Sequence, residues 1–450
     1  MSEILTMPDD HSLEQARRTI THLFQAALAT SDPVRAVREA LVWNGQDLVV
    51  EGQRLSAPDG VHIVAVGKAA AAMTAGAMEA LGRAVVSGVI VTKDGHADHA
   101  LPERIQVFEA GHPIPDQRGV DATQEILHSL RTLAPGVAVL ALVSGGGSAL
   151  LEAPRVGLTL DDFQQTTSAL LRAGAPIDAL NAVRAPLSQV KAGGLRRAAP
   201  DHPWATLILS DVLGNDPRVI ASGPTVPGRN DPALALEMIT RFGVEAHIPP
   251  AVMTALQGME FLPQSVDARD LLIVVGENAQ AVSASYERAL EDGLSASVVW
   301  RAREGEARDL GVEFVRLAKL APDEIDLLLG GGEATVTVRG DGVGGRNTEF
   351  ALAAALSLEQ QGETGWVIAS LATDGQDALT GLAGAIADGY TCERARAASV
   401  DPAAALAESD SKHVFDIAGG AVETGPTGTN VNDIYFALRV QPGVAAGGGA

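Results

Sequence analysis

The sequence predicts an α/β protein built from two domains. Short runs of β-branched residues end in glycine-rich turns and alternate with alanine- and leucine-rich stretches at helical spacing, which is typical of repeated βα units. Aromatic residues make up 4% of the chain, so valine, isoleucine, leucine and alanine must form a core like that of helix-covered parallel strands. The 450 residues exceed what a single hydrophobic core usually organises. We therefore expect two α/β domains with a ligand-binding cleft between them.

The domain boundary is predicted from two series of strands that a proline-rich segment separates. The first series comprises residues 62–66, 85–91, 105–108, 137–143 and 206–209. The second comprises residues 271–275, 297–300, 325–329 continuing into 335–338, 367–371 and 434–438. Residues 223–264 contain repeated prolines and few candidate strands. We accordingly predict an N-terminal domain over residues 10–250, a C-terminal domain over 265–440 and a disordered tail over 441–450.

Charge and cysteine content limit the classes of partner. Lys and Arg number 33 against 56 Asp and Glu, and the net charge of −23 argues against nucleic acid and anionic membranes, which require a positive surface. The lone cysteine, Cys392, excludes an intramolecular disulfide and indicates a reducing compartment. The first residues lack the pattern of a signal peptide, and no apolar run reaches the length of a membrane span. We expect a cytoplasmic protein whose oligomeric state the sequence leaves open, with a homodimer as one candidate.

A run of three glycines after the fourth predicted strand is the strongest candidate for a binding site. Gly145, Gly146, Gly147 and Ser148 follow a hydrophobic strand and precede a helical stretch. In such a turn, consecutive backbone N–H groups can point at one anion. A purely structural βα turn rarely needs three adjacent glycines, so the sequence favours phosphate or carboxylate binding here.

A lysine lies at the corresponding position after the first predicted strand. Lys68 begins an alanine-rich helix, where its charge opposes the helix dipole unless an anion offsets it; a solvated lysine is the alternative.

The Walker A pattern is absent, and the Rossmann fingerprint fails because Leu150 stands where its last glycine is required. His96 and His99 lie in a predicted surface loop without a third ligand at zinc spacing.

Two carboxylates directly follow predicted strands. Asp211 comes after the strand at 206–209, and Asp374 comes after the strand at 367–371. A carboxylate at such a position can bind Mg²⁺ or accept a proton from a hydroxyl group. The alternative for Asp211 is an aspartate that caps a helix or stabilises a turn.

A second glycine run is predicted to form another ligand-binding turn. Gly331 and Gly332 precede Glu333, and Arg346 begins an alanine- and leucine-rich helix shortly afterwards. The guanidinium group of an arginine matches a carboxylate or a phosphate in two-point hydrogen bonding. A local ion pair between Arg346 and a neighbouring glutamate is the alternative. Backbone anion sites, two cations and several carboxylates are the parts that phosphoryl transfer needs.

The motifs as a set resemble those of the class II glycerate kinases, the glycerate 2-kinases, whose C-terminal part is called the MOFRL domain. The resemblance runs in order from about residue 12 to residue 438, and it is carried by Ala65–Ala69, Gly111–Asp116, Ser144–Ala149, Asn181–Arg184, Ser210–Val212, Ala221–Thr225, Gly331–Glu333, Gly345–Asn347 and Thr427–Asn430. It implies a Rossmann-like N-terminal domain, a C-terminal MOFRL domain and an active-site cleft between them.

The resemblance also implies a reaction and a set of site residues. The reaction is ATP- and Mg²⁺-dependent phosphorylation of D-glycerate to 2-phosphoglycerate. In the family a lysine and an arginine of the cleft matter most, and they match Lys68 and Arg346. On chemical grounds we predict catalytic roles for Lys68, Arg346 and Asp211; phosphate binding by Gly145, Gly146, Gly147, Ser148, Gly331 and Gly332; metal binding by Glu333 and Asp374; and substrate binding by Asn181, Arg184 and Lys191.

Two other functions remain open from the sequence. Members of this family often carry the name hydroxypyruvate reductase, which would make the protein an NAD(P)H-dependent reductase of hydroxypyruvate or tartronate semialdehyde. The missing dinucleotide fingerprint argues against that function. The third is a non-catalytic sensor of an anionic metabolite, which the clustered carboxylates disfavour because they would repel an anion in the absence of a metal.

Overall fold

The computed structural model describes residues 10–97, 99–260 and 270–440. The predicted tail at 441–450 lies outside the described residues. The helices are α1 (Asp10–Thr30), α2 (Pro33–Ala40), α3 (Ala70–Leu81), α4 (Gln117–Arg131), α5 (Gly147–Leu150), α6 (Leu160–Arg172), α7 (Ile177–Leu187), α8 (Pro232–Arg241), α9 (Pro250–Gly258), α10 (Asn278–Glu291), α11 (Ala307–Leu320), α12 (Arg346–Gln360), α13 (Thr391–Ala397), α14 (Pro402–Ala407) and α15 (Ser411–Ala418).

The described residues also form three sheets. Their strands are β1 (Leu41–Trp43), β2 (Asp47–Val50), β3 (Gln53–Ser56), β4 (Val61–Val66), β5 (Val85–Lys93), β6 (Ile105–Ala110), β7 (Ala138–Ser144), β8 (Trp204–Leu209), β9 (Leu271–Gly276), β10 (Ala296–Glu306), β11 (Leu327–Thr335), β12 (Trp366–Ala372), β13 (Gly384–Asp388), β14 (Ala421–Val422) and β15 (Asp433–Arg439). Strands β1–β3 form a small antiparallel sheet that the sequence analysis did not predict.

The chain divides into two compact units. One unit is Pro33–Gly276, and the other combines Met1–Asp32 with Glu277–Ala450. The division differs from the predicted boundaries at two points. Helix α1 belongs to the unit that contains the C-terminal sheet, where Arg17 lies 2.7 Å from the buried carboxylate of Asp388. Strand β9, predicted to open the second series, instead pairs with β8 and completes the first sheet.

The unit Pro33–Gly276 contains a six-stranded parallel sheet in the order β6-β5-β4-β7-β8-β9. Every residue of β4, β7 and β8 is buried, which explains their continuous hydrophobic sequences. The strand order reverses between β4 and β7. In open α/β sheets of this doubly wound kind, ligands bind beyond the carboxyl ends of the strands at the point of reversal.

The second unit contains a six-stranded mixed sheet in the order β10-β11-β15-β12-β13-β14. The pairing of β10 with β11 is parallel, whereas the pairings of β11 with β15, β15 with β12, β12 with β13 and β13 with β14 are antiparallel. The composition argument for parallel strands therefore holds for the first unit but is wrong for most of this sheet. Alternating hydrophobic and polar positions would have indicated antiparallel strands, but here most of the strand residues are buried on both faces.

Candidate active-site residues

The turns after β4 and β7 lie side by side at the point where the strand order reverses. The backbone N–H of Lys68 donates to the carbonyl oxygen of Gly145 over 2.9 Å. The N–H of Ala69 donates to the Ser144 hydroxyl over 3.1 Å, and a Cβ on Gly67 would lie 2.2 Å from that hydroxyl oxygen. These contacts bring the predicted lysine and the predicted glycine turn together.

The glycine turn presents backbone donors. Gly146 adopts a left-handed conformation at φ +83°, and α5 begins at the next residue. Within the described residues, no partner accepts a hydrogen bond from the backbone N–H of Gly145, Gly146, Gly147 or Ser148. Backbone N–H groups of a buried turn normally have partners, so this turn is suited to an anion that would supply them.

Asp211 and His112 border the same turn. A Cβ on Gly145 would lie 2.1 Å from Asp211 Oδ2, which places the predicted carboxylate directly against the turn. A Cβ on Gly146 would lie 3.2 Å from the His112 ring and 3.3 Å from Lys68 Cγ. Burial, followed by the charges of Lys68, Lys93 and His96, lowers the pKa of His112 to about 4. His112 is therefore neutral at pH 7 beside a positively charged group of side chains.

His96 also belongs to this region, in the loop that follows β5, as predicted. Its Nδ1 lies 3.2 Å from the carbonyl oxygen of Lys68, and the ring is half-buried. The sequence analysis quoted Gly111–Asp116 as a motif without assigning a role to His112. The chemistry of the imidazole groups was visible in the sequence, but their approach to the glycine turn depends on the sheet order.

Two of the predicted substrate-binding residues hold Ser148. Lys191 Nζ lies 2.8 Å from the Ser148 carbonyl oxygen and 3.2 Å from a carboxylate oxygen of Glu152. Arg184 Nη2 donates to the Ser148 hydroxyl over 3.1 Å. Lys191 is 1% exposed and Glu152 is 0% exposed, so this pair lies beneath the turn. The Lys191 side chain thus supports the turn, and its contact with substrate stays a prediction.

Asn181 lies three residues before Arg184 on helix α7. Its side-chain oxygen is buried and has no hydrogen-bond partner in the described part of the chain. The Nε of Arg184 is likewise buried and has no hydrogen-bond partner among the described residues. Burial, opposed in part by the charge of Glu152, lowers the pKa of Arg184. A buried polar atom without a partner is costly, which keeps both residues as candidates for ligand contact.

The second unit contains the predicted arginine, which is paired with a carboxylate that the sequence analysis missed. Arg346 Nε lies 2.6 Å from Asp433 Oδ2, and Arg346 Nη2 lies 2.9 Å from Asp433 Oδ1. Burial lowers the pKa of Arg346, but the charge and hydrogen bonds of Asp433 and the charges of Glu333 and Asp374 raise it above its ordinary value. Arg346 is thus a fixed cation among three carboxylates.

The start of helix α12 fixes the orientation of this arginine. Asp377 accepts hydrogen bonds from the backbone N–H groups of Asn347 and Thr348 over 2.9 and 2.8 Å. The Asn347 side chain donates to Asp433 over 3.0 Å and accepts from Ser370 over 2.5 Å. Burial raises the pKa of Asp377, whereas the hydrogen bonds from Asn347 and Thr348 act to lower it. A carboxylate at a helix N-terminus offsets the helix dipole and holds the first turn in place.

The second glycine run is not a turn. Gly331 and Gly332 lie inside β11 and pair with Ile434 and Asp433 of β15. A Cβ on Gly331 would lie 2.0 Å from Asn278 Oδ1, and one on Gly332 would lie 2.0 Å from the carbonyl oxygen of Arg303. Close packing explains both glycines. The prediction of a turn is therefore wrong, because the backbones of both glycines form the ladder of a strand. Their role in phosphate binding stays a prediction.

Comparisons with known proteins agree with this architecture. The model of the domain of unknown function DUF4147 matches residues 19–257, and the MOFRL family model matches residues 326–433. The D-glycerate 2-kinase of Thermotoga maritima is 35% identical over 433 residues, which cover 95% of this chain and 99% of that enzyme. The chain belongs to the glycerate 2-kinase family. The resemblance that the sequence motifs indicated is confirmed.

Solved structures support the same assignment of family and fold. The crystal structure of glycerate kinase from T. maritima matches with a TM-score of 0.85 and 35% identity over 95% of this chain and 100% of that one. The structure of a protein from Pyrococcus horikoshii matches with a TM-score of 0.81 and 33% identity over 94% and 98% of the two chains. The predicted two-domain α/β fold with a MOFRL domain is confirmed. In the described part of the chain, no helix is long and apolar enough to cross a membrane.

Proposed function

We propose that the protein catalyses ATP-dependent phosphorylation of D-glycerate at the 2-hydroxyl group, which gives 2-phosphoglycerate and ADP. The observation that carries the proposal is the glycine turn Gly145–Ser148, whose backbone N–H groups have no acceptor among the described residues and which lies against Lys68. Its family membership supports the same reaction, since the relative from T. maritima is named D-glycerate 2-kinase.

In this proposal the glycine turn and Lys68 bind phosphate oxygens. Backbone N–H groups and an ammonium group fixed before reaction stabilise the negative charge that spreads over the transferred phosphoryl group. Asp211, which lies against Gly145, is proposed to accept the proton of the 2-hydroxyl group. Asn181 and Arg184 are proposed to contact the substrate, because each has a buried polar atom that lacks a partner within residues 10–97, 99–260 and 270–440.

Arg346 is proposed as the second catalytic cation, with Asp433 as its positioning partner. The bidentate contact with Asp433 uses Nε and Nη2 of the guanidinium group. Because an arginine has five N–H donors in a planar group, the remaining face can still contact a carboxylate or a phosphate. The pairing with Asp433 would hold that face in a single orientation.

Glu333 and Asp374 are proposed to hold Mg²⁺. The charges of both carboxylates act on Arg346, which supports a shared site around that arginine. Carboxylate oxygens are the ligands that Mg²⁺ prefers, and one or two of them with substrate phosphates form a usual site. The donor set therefore fits the ion, which would neutralise charge on the phosphates when bound.

A second candidate is the reduction of hydroxypyruvate. A relative from Agrobacterium vitis that is 39% identical over 94% of this chain carries a provisional name as a hydroxypyruvate reductase. The β4 and β7 turns lack the glycine fingerprint that binds the pyrophosphate of NAD in common Rossmann reductases. The kinase proposal requires no such motif.

The proposal is tested by measuring ADP formation with purified protein, ATP, Mg²⁺ and D-glycerate. L-glycerate and hydroxypyruvate serve as alternative acceptors, and NADH oxidation with hydroxypyruvate is followed in parallel. We expect ADP formation with D-glycerate that falls at least a hundredfold in Lys68→Met and in Arg346→Met. NADH oxidation without ADP formation would show that the protein is a reductase.

A further inference from the structure

A strained segment lies directly against the glycine turn. Ala221, Ser222 and Gly223 have consecutive φ angles of 50°, 62° and 61°, which fall in the left-handed region. Such a conformation costs a residue other than glycine about 1 kcal/mol. A Cβ on Gly147 would lie 2.7 Å from the Ala221 Cβ, so the segment packs on the turn itself.

The surrounding backbone maintains this conformation. The N–H of Ala192 donates to the carbonyl oxygen of Ser222 over 3.0 Å, and the N–H of Gly193 donates to that of Gly223 over 2.7 Å. Ala192 and Gly193 are themselves left-handed, at φ 49° and 78°. A strained conformation that the neighbouring structure enforces is a common feature of ligand-binding sites. Ala192 and Gly193, which donate to the segment, directly follow Lys191 in the chain.

The Ser222 hydroxyl ends a chain of hydrogen bonds. Its oxygen lies 2.6 Å from Ser148 Oγ, which is also 3.1 Å from Arg184 Nη2 and 3.5 Å from Lys191 Nζ. Arg184 can only donate to the Ser148 hydroxyl, whereas the shorter contact of Lys191, at 2.8 Å, is with the Ser148 carbonyl oxygen. Either serine can donate in the Ser148–Ser222 hydrogen bond. When Ser148 donates, the proton of Ser222 is left for another acceptor.

We propose that Ser222 is a further ligand-binding residue, whose hydroxyl donates to an oxygen of the anion held on the Gly145–Ser148 turn. The inference rests on the proposed function only in taking that anion to be a phosphate of ATP or the carboxylate of D-glycerate. Lys191 is a positioning residue in this scheme, since it acts on the ligand through Ser148. Arg184 also holds Ser148, through its Nη2, which leaves its Nε for the substrate contact proposed above. If residue 222 only had to adopt this backbone conformation, glycine would suit the position better than serine, because glycine adopts this φ without strain.

The test compares Ser222→Gly with Ala221→Gly. Both substitutions relieve left-handed strain in adjacent residues, but the first alone removes the hydroxyl. We expect both variants to unfold within a few degrees of the wild type. We expect Ser222→Gly to raise the KM for one co-substrate roughly tenfold, as the loss of a hydrogen bond to a charged group does, and Ala221→Gly to leave it within twofold. The co-substrate whose KM rises, ATP or D-glycerate, identifies the source of the anion.

A binding measurement separates this inference from the proposed reaction. Calorimetric titration with inorganic phosphate and with a non-hydrolysable ATP analogue should show the same roughly tenfold loss in Ser222→Gly, whether or not the protein phosphorylates glycerate. Ser222→Ala should reproduce the loss if the glycine variant does not fold. Equal KM values and equal affinities in the Ser222→Gly and Ala221→Gly proteins would overturn the inference. An inactive wild type that still shows the binding difference would overturn the proposed reaction alone.

Discussion

Arg346 and Asp433 form a two-point ion pair in which the carboxylate is completely buried and the arginine side chain is 25% exposed. This relationship makes the arginine a rigid cation, with Glu333 and Asp374 as further negative neighbours. Long cationic side chains on a protein surface lose much of their interaction energy to conformational freedom and salt screening. The buried partner removes that freedom, which is what a catalytic cation requires.

Removal of the charge on Asp433 should destabilise the protein. Asp433→Asn leaves Arg346 without its buried counter-ion, which we expect to cost about 3 kcal/mol of unfolding free energy. Glu359→Gln is the matched control, because Arg396 contacts that carboxylate in a two-point pair at the surface. The control should cost less than about 1 kcal/mol. Urea denaturation measures both values, and equal losses would show that burial of Asp433 contributes nothing.

Lys191 and Glu152 should behave as an energetically coupled pair. Lys191→Met and Glu152→Gln each leave one buried partner unpaired, and each is expected to cost about 3–5 kcal/mol. The double variant removes both groups, so it should be more stable than the sum of the single losses predicts. A double-mutant cycle from urea denaturation gives the coupling energy. If the loss of unfolding free energy in the double variant equalled the sum of the two single losses, the ion pair beneath the glycine turn would be contradicted.

His62 should make the protein sensitive to acid. Its ring lies between the hydroxyl groups of Ser87 and Ser129, and burial together with the charge of His202 lowers its pKa to about 4. Between pH 6.5 and 4 the unfolded state binds a proton that the folded state does not. The stability contributed by neutral His62 is therefore complete above pH 6.5 and falls by about 3 kcal/mol as the pH approaches 4.

The acid effect is measured by comparing unfolding free energies at pH 7 and pH 4.5. We expect His62→Gln to lose less stability between these two values than the wild type does. His247→Gln, at an exposed histidine, is the control and should follow the wild type. An unchanged pH dependence in His62→Gln would show that other groups cause the acid sensitivity.

The two glycine runs should respond differently to substitution. Gly332→Ala places a Cβ 2.0 Å from the backbone carbonyl of Arg303, which cannot move without disturbing the sheet, so we expect about 1–3 kcal/mol of destabilisation. Gly258→Ala, near the end of α9 with open space around it, should be neutral or slightly stabilising. Thermal unfolding checks both. An unaltered melting temperature in Gly332→Ala would contradict the packing explanation.

Substitution in the first run should affect ligand binding more than stability. Gly145→Ala places a Cβ 2.1 Å from the Asp211 carboxylate, the end of a side chain that can move aside. We expect the melting temperature to change by a few degrees and kcat/KM with D-glycerate to fall at least tenfold, because both the turn and Asp211 are disturbed. Steady-state kinetics at varied ATP and D-glycerate gives this value. Wild-type kinetics would remove the turn from the proposed site.

The centre of the parallel sheet could be predicted from the sequence because β4, β7 and β8 are buried on both faces and consist of continuous hydrophobic runs. The prediction of a turn at Gly331 and Gly332 failed. A run of glycines in the sequence fits a turn as well as a strand, and only the neighbours Asn278 and Arg303 show why glycine is needed in this strand. Strands β1–β3 were missed because they are short and partly polar. Local sequence does not report which distant chain segment will fill the space beside a glycine.

Within the candidate site, residues next to glycine motifs could be predicted and their supporting partners could not. Lys68, Asp211 and Arg346 follow or begin recognisable elements. Asp433 and Glu152 are far from their partners in sequence, and nothing in their immediate surroundings distinguishes them from other carboxylates. His112 had a visible signal in the Gly111–Asp116 motif, but its approach to Gly146 depends on how β6 and β7 are arranged in the sheet.

Phosphorus NMR of the product tests the central claim most directly. The protein is incubated with D-glycerate, ATP and Mg²⁺, and the spectrum is compared with authentic 2-phosphoglycerate and 3-phosphoglycerate. The account predicts the resonance of 2-phosphoglycerate, with its splitting by the single proton on the substituted carbon, and its loss in Lys68→Met. The resonance of 3-phosphoglycerate, or no new phosphate ester while the protein is folded, would contradict it.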